Sequence, residues 1–153
     1  MNEGIQVLGT WTFLWSDEYG NEIRRREEKN LVTNSGLYAL AAMVCGELEQ
    51  TCSVWVALGT GIVAAAATDT ALGAETTRKV VTTKTRNNAV IIYRFYLLTG
   101  DATGTWTEWG VFLEATSIAG SGRMLNRILP VGGVTKAPNE NLTVEVRITL
   151  AAA

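Results

Sequence analysis

The segment from Leu142 to Leu150 constrains the fold more than any other. Leu142, Val144, Val146, Ile148 and Leu150 alternate with Thr143, Glu145, Arg147 and Thr149. A period of two places successive side chains on opposite faces of a strand. One face here is apolar and the other hydrated, which is the pattern of an antiparallel sheet laid on a core. Other β-rich stretches recur between turn clusters. Ile5 to Trp15 carries Ile5, Val7, Trp11, Phe13 and Trp15, then meets Ser16-Asp17-Glu18-Tyr19-Gly20-Asn21, a run of turn-forming residues. Ser53–Leu58, Thr105–Leu113 and Met124–Val131 read as further strands. Thr77–Arg86 and Ala89–Thr99 read as a hairpin joined by Asn87-Asn88, a residue type that tolerates the positive φ of a tight turn.

One stretch departs from this period. Thr33, Asn34 or Ser35 can accept the unpaired N–H groups of a first helical turn. Leu37, Leu40, Ala41 and Val44 then fall at i, i+3, i+4 and i+7, one apolar helical face. Gly46 suits the residue that ends the helix. The expected fold is therefore mainly β: an antiparallel β-sandwich or barrel of seven to eight strands with one inserted α-helix at about residues 35–46. Glu22 to Lys29 is dense in charge, so residues 1–29 are expected to form an N-terminal β-hairpin arm and residues 30–153 the β-sandwich domain.

The chemistry a chain can perform is bounded by what it lacks. There is no histidine among the 153 residues, which removes the commonest general base and every Ser-His-Asp or Cys-His arrangement. Cys45 and Cys52 are not a CxxC pair, and no histidine completes a zinc set; whether they are bonded to each other stays open. Gly59-Thr60-Gly61 lacks the Gly-Lys-Ser/Thr that a phosphate loop needs and reads as a turn at a strand end. A hydrolase using Glu75 or Glu108 would need two carboxylates about 5–10 Å apart in a cleft. The spacing of Asp69, Glu75, Glu108 and Glu114 marks no such pair. Glu75 with Arg78, and Glu108 with Arg127, are expected instead as structural ion pairs. The expectation is a protein with no catalytic, metal or cofactor site.

The net charge is −2, from 13 Lys+Arg and 15 Asp+Glu, which gives no electrostatic reason to bind nucleic acid or an anionic membrane. The longest apolar stretch, Gly36 to Gly46, is shorter than the roughly 20 residues that cross a bilayer, and the first ten residues show no basic leader segment. Charged residues are 18% of the chain, below the usual figure of about 25%, as suits a subunit with part of its surface covered by neighbours. Candidate assembly-interface residues are Trp11, Trp15, Trp106 and Trp109, with Arg24, Arg25 and Arg26. The three arginines sit among Glu22, Glu27 and Glu28, which cancel most of their field. Trp106 and Trp109 have opposite parity, so a regular strand would turn one of them outward. Stacking of Trp106 or Trp109 on a sugar, in a carbohydrate-binding module for host-surface attachment, is the alternative of another class.

Several short motifs occur in a definite order. Asn30-Leu31-Val32-Thr33-Asn34-Ser35-Gly36 opens the helix, and Ala57-Leu58-Gly59-Thr60-Gly61 follows. Thr70-Ala71-Leu72 comes next with Glu75 and Arg78, then Gly104-Thr105-Trp106-Thr107-Glu108-Trp109-Gly110-Val111-Phe112, then Leu125-Asn126-Arg127, and the Leu142–Thr149 strand closes the series. Over residues 30–150 this order resembles the small structural proteins of tailed-bacteriophage virions: capsid decoration, head-fibre, tail and collar components. The resemblance implies a virion location after synthesis in the bacterial host cytoplasm. It also implies a symmetric homo-oligomer, with a trimer favoured, and partners such as the major capsid protein or tail proteins. Small size without a fibrous extension favours capsid decoration or cement over a tail, collar or head-fibre component. The resemblance brings no catalytic residues.

Overall fold

The structure is a computed structural model and describes residues 4–48 and 52–153. It is mainly β, with 53% of residues in strands and 7% in helix. In chain order the elements are β1 (Ile5–Ser16), β2 (Glu22–Val32), α1 (Asn34–Val44), β3 (Val54–Gly59), β4 (Glu75–Val80), β5 (Thr83–Asn87), β6 (Val90–Leu97), β7 (Gly104–Trp106), β8 (Glu108–Leu113), β9 (Arg123–Ile128), β10 (Val134–Lys136) and β11 (Asn141–Ala152). Among the described residues eleven strands replace the expected seven to eight, because the expected strands Thr77–Arg86 and Thr105–Leu113 are each interrupted and Val134–Lys136 forms a short strand within an expected loop. All ladders of the large sheet are antiparallel. Neighbouring strands pair in the order β4-β3-β8-β9-β2-β1-β11-β6-β5, and β7 pairs with β10.

The chain divides into two compact units, each drawn from separated segments. The first comprises the residues through Asn30, Val81–Gly104 and Thr135–Ala153; the second comprises Leu31–Val80 and Thr105–Val134. In the first unit the strands run β2-β1-β11-β6-β5. β1 pairs with β11 from Ile5↔Ala152 to Ser16↔Asn141. Trp11, Phe13 and Trp15 of β1 and Leu142, Val144, Val146 and Ile148 of β11 are buried, as the alternation of each strand requires. Trp11 and Phe13 stack at 6.1 Å between ring centroids.

This pairing corrects the expected arm. Residues 1–3 lie outside the described residues, and the remainder of the 1–29 segment does not project from a 30–153 domain. β1 has a partner on each side, β2 and β11, and buries two tryptophans and a phenylalanine. β2 is charged on both faces and has no fully buried residue, yet it pairs with β1, placing Arg24, Arg26 and Glu28 opposite Trp15, Phe13 and Trp11.

In the second unit the strands run β4-β3-β8-β9, and β2 adds Leu31 and Val32 opposite Arg127 and Asn126 of β9. β8 is buried along its whole length. Ala57, Leu72, Phe112, Ala115 and Met124 pack together, with Trp55 against them. A bulge between Val111 and Phe112 shifts the β8–β9 register, and Asn126 Oδ1 accepts the Val111 N–H there at 3.3 Å.

The helix forms where expected and faces the other way. Thr33 is the N-cap and accepts the Gly36 N–H at 3.1 Å, while its own hydroxyl donates to the Met124 carbonyl at 2.6 Å. Gly46, with φ of 74°, ends the helix. The buried positions are Gly36, Ala39 and Ala42, not the expected Leu37, Leu40, Ala41 and Val44. The reason is distance: any Cβ at residue 36 would run into the backbone of Leu125, so α1 lies too close to β9 for large side chains. Two strand boundaries also differ. The expected strand Thr77–Arg86 breaks at Val81-Thr82 into β4 of the second unit and β5 of the first. The β5–β6 turn is Asn88-Ala89, with Asn88 at φ 50°, one residue beyond the expected pair.

Candidate functional site

Glu108 opens β8 and has no solvent exposure. Its Oε1 accepts the Gly61 N–H at 2.9 Å and the Ala74 N–H at 2.6 Å. Its Oε2 accepts the Gly73 N–H at 2.9 Å and an Arg127 N–H at 2.8 Å. These four bonds match the acceptor capacity of an ionised carboxylate. Arg127 of β9 also donates to Asp69 Oδ2 at 2.7 Å and to the Val63 carbonyl at 3.0 Å. The carboxylate and guanidinium therefore hold the segment from Thr60 to Ala74 at several points along its length. Gly59 and Gly61 are required by this closure, since a Cβ at either would meet the Glu108 carboxylate. The expected turn at Gly59-Thr60-Gly61 is thus built around a buried anion of the protein itself.

The electrostatics follow from that geometry. Burial works to raise the Glu108 pKa, but the Ala74 and Gly73 N–H groups, Arg127 and the Gly61 N–H outweigh it and hold the group below its ordinary 4.5. For Asp69 burial again opposes ionisation, and the Ala66 N–H and Arg127 outweigh it, so its pKa lies below the ordinary 3.8. The Arg127 pKa is raised: burial would lower it, but Asp69 and Glu108 prevail.

The second expected pair holds another loop. Arg78 and Glu75 of β4 form a close bidentate contact with both side chains nearly buried. Arg78 Nη1 donates to the carbonyls of Thr116 and Ser121 at 3.2 and 2.9 Å, and Glu75 Oε2 accepts the Gly120 N–H at 3.1 Å. The guanidinium carbon lies 4.4 Å from the centroid of the Phe112 ring. Both glutamates thus have their oxygens engaged by loop backbone and arginine, an arrangement that anchors loops rather than one poised to transfer a proton.

The candidate interface residues fall in other places. Trp11 and Trp109 are fully buried, and Trp15 and Trp106 nearly so. This corrects their expected place at an assembly contact and leaves Trp106 and Trp109 no face for a sugar. The parity argument fails because the strand is not regular: it breaks at Thr107 between β7 and β8, and Trp109 Nε1 donates to the Trp106 carbonyl at 3.2 Å. Trp15 Nε1 donates to the Thr135 carbonyl at 2.8 Å. Arg24 lies 4.4 Å from the Trp15 ring centroid and pairs with Glu140 at 2.9 Å. Arg25 pairs with Glu22 and Arg26 with Glu28, so these three arginines are engaged within the first unit. Cys45 and Cys52 are free thiols, the first exposed and the second buried. Among the described residues no group of three Cys, Asp or Glu side chains is placed to hold a metal, and no helix is long and apolar enough to cross a membrane.

The surface that sequence reasoning missed is the outer side of α1. Leu37, Tyr38 and Val44 are exposed there, Val44 to 90%. No charged residue occurs from Asn30 to Gly46. The neighbouring segment is similar: the Asn34 N–H donates to the Ala67 carbonyl at 2.8 Å, and Ile62 and Val63 of the same loop are exposed to 84% and 70%. The usable signal was the small-residue stripe Gly36, Ala39 and Ala42. A helix packed through small residues turns its large ones outward.

Fold and site together define a mainly β, antiparallel protein with one helix and two internally anchored loops. Comparison with known protein families, with curated proteins and with solved structures finds no match.

Proposed function

We propose that this chain is a structural subunit of a bacteriophage virion that works by assembling with copies of itself, as a capsid decoration protein. The observation that carries the assembly reading is the outer side of α1. A helix facing water ordinarily carries charge on that side, and this one presents Leu37, Tyr38 and Val44 with none. Burying such surface between copies contributes about 25 cal/mol per Å² before the costs of association, and closed symmetry is the usual result. The choice of virion rests on the order of motifs across residues 30–150. A tail, collar or head-fibre position is the second reading.

Sedimentation equilibrium at micromolar concentration tests the assembly. A multiple of 16.5 kDa, a trimer first, is expected. Val44→Asp with Tyr38→Lys should return the chain to a monomer without lowering its melting temperature. Adding the wild-type subunit to expanded phage capsids should raise their melting temperature. A chain that stays monomeric at all concentrations and leaves capsids unchanged overturns the proposal.

A further inference from the structure

The hydrated face of the first unit is concave. Strands β2, β1, β11 and β6 line a groove of about 750 Å³ there, within the roughly 300–1,000 Å³ of small-ligand sites. Its walls carry threonines, charged side chains, one tyrosine and one leucine. Thr10 and Thr12 of β1 stand opposite Arg147 and Glu145 of β11, and Thr149 and Thr143 of β11 lie diagonally across from them, so the hydroxyls flank the charged pair at both ends. Tyr96 of β6, directly opposite Thr143, supplies an aromatic ring that is 39% exposed.

The charges are arranged in register. Glu145 of β11 stands opposite Arg94 of β6 on one side and Thr12 on the other. It accepts the Nε–H of Arg94 and the Nε–H of Arg147, each at 2.5 Å. Two guanidiniums thus share one carboxylate, and both remain about half exposed. Burial works to raise the Glu145 pKa, but Arg147 and Arg94 keep the carboxyl below its ordinary 4.5, so this pattern is ionised at neutral pH. Adding Arg25 and Glu27, the groove holds three arginines against two glutamates, an excess of one positive charge (3 − 2) on a chain whose net charge is −2. Leu14 is the one aliphatic side chain of the lining larger than threonine.

The geometry points to this groove as a binding site for an acidic oligosaccharide. Arg94 and Arg147, each using its Nε on Glu145, would offer guanidinium edges to the sugar's carboxylate or sulfate. The threonine hydroxyls and Glu27 would meet its hydroxyl groups, and Tyr96 would cover an apolar ring face. A hydrophobic peptide or lipid finds too little apolar lining. A polyphosphate meets two fixed carboxylates and a chain of net negative charge. The inference is independent of the helix surface: it concerns the first unit alone.

Isothermal titration of the full chain at 0.15 M salt tests it. Oligogalacturonate and sialyllactose serve as carboxylate probes and a heparin oligosaccharide as the sulfate probe; maltohexaose and single-stranded DNA serve as controls. Saturable binding to an acidic probe is expected, with at least tenfold weaker binding to both controls. Arg147→Gln and Tyr96→Ala should each weaken it at least tenfold while the melting temperature stays within a few degrees. Tyr96→Ala breaks no ion pair, so it keeps the test valid if Arg147→Gln unfolds the chain. No binding to any acidic probe overturns the inference. So does equal binding of a control, or binding that neither substitution changes.

Discussion

Replacing Glu108 by Gln removes one charge from a group whose oxygens accept N–H bonds from Gly61, Ala74, Gly73 and Arg127. The amide must turn a donor toward two of these donors, and Arg127 keeps only Asp69 as a charged partner. The expected cost is about 3–5 kcal/mol, the usual result of breaking a buried pair from one side, read as a lower urea midpoint with an unchanged slope. The double variant Glu108→Gln with Arg127→Met should recover part of it, because the orphaned cation is gone. Lys136 is the opposite case. It is buried in the first unit, and burial lowers its pKa against the opposing pull of Asp101 and Glu140. A lysine whose folded pKa lies below its ordinary 10.5 costs stability while it is protonated in the folded state, and that cost fades as pH rises toward 10.5. Lys136→Met is therefore expected to be neutral or stabilising by about 1 kcal/mol at pH 7. Urea denaturation checks it, and a clear loss would mean that the ammonium's attraction to Asp101 and Glu140 outweighs its desolvation.

At the scale of elements, α1 shows where sequence patterns inform and where they fail. The helix itself is legible: Thr33 caps it and Gly46 ends it. Its orientation is not, because residues 34–44 contain no charge and an uncharged helix gives hydrophobicity no polar side to point away from the core. Close approach to β9 decides instead. Gly36→Ala should cost about 1–3 kcal/mol through overpacking against Leu125, although alanine is the better helix former; a thermal melt checks both sign and size. The strand Leu142–Leu150 lies at the other extreme. Its outward face carries Glu145 and Arg147 and its inward face Val144 and Val146, so one reading satisfies both faces. The break at Val81-Thr82 is invisible locally, because the two halves differ only in which distant strand they pair with: β3 for β4 and β6 for β5. Glu108 with Arg127 could be proposed from residue type and strand position. The backbone N–H groups that complete the cluster could not, since they belong to a loop without periodicity.

For the whole molecule, the ionisable groups fix the shape of the pH response. Asp17, Asp69, Glu108, Glu140 and Glu145 all titrate below their ordinary values in the folded chain. A carboxylate with a depressed folded pKa contributes stability above its unfolded value and loses it as pH falls through the folded one. With no histidine, no side chain has an ordinary pKa between 5 and 8. The melting temperature should therefore be nearly flat from pH 6 to 8 and fall steeply below about pH 4.5; a steep change near neutrality would contradict this. Connectivity sets the last expectation. Each unit is assembled from segments far apart in sequence, and β1 fills a position between β2 and β11. An appended arm could be removed at little cost, whereas β1 cannot. Deleting residues 1–29 strips Trp11, Phe13 and Trp15 from their buried sites and leaves the length of β11 that faced β1 as an open, aggregation-prone edge. The truncated chain is expected to be insoluble or to melt without a cooperative transition in circular dichroism, because too little apolar area remains buried in the first unit to offset the ordering of its other strands. A soluble fragment with a sharp transition near the wild-type temperature would show that β6 and β11 hold together without β1.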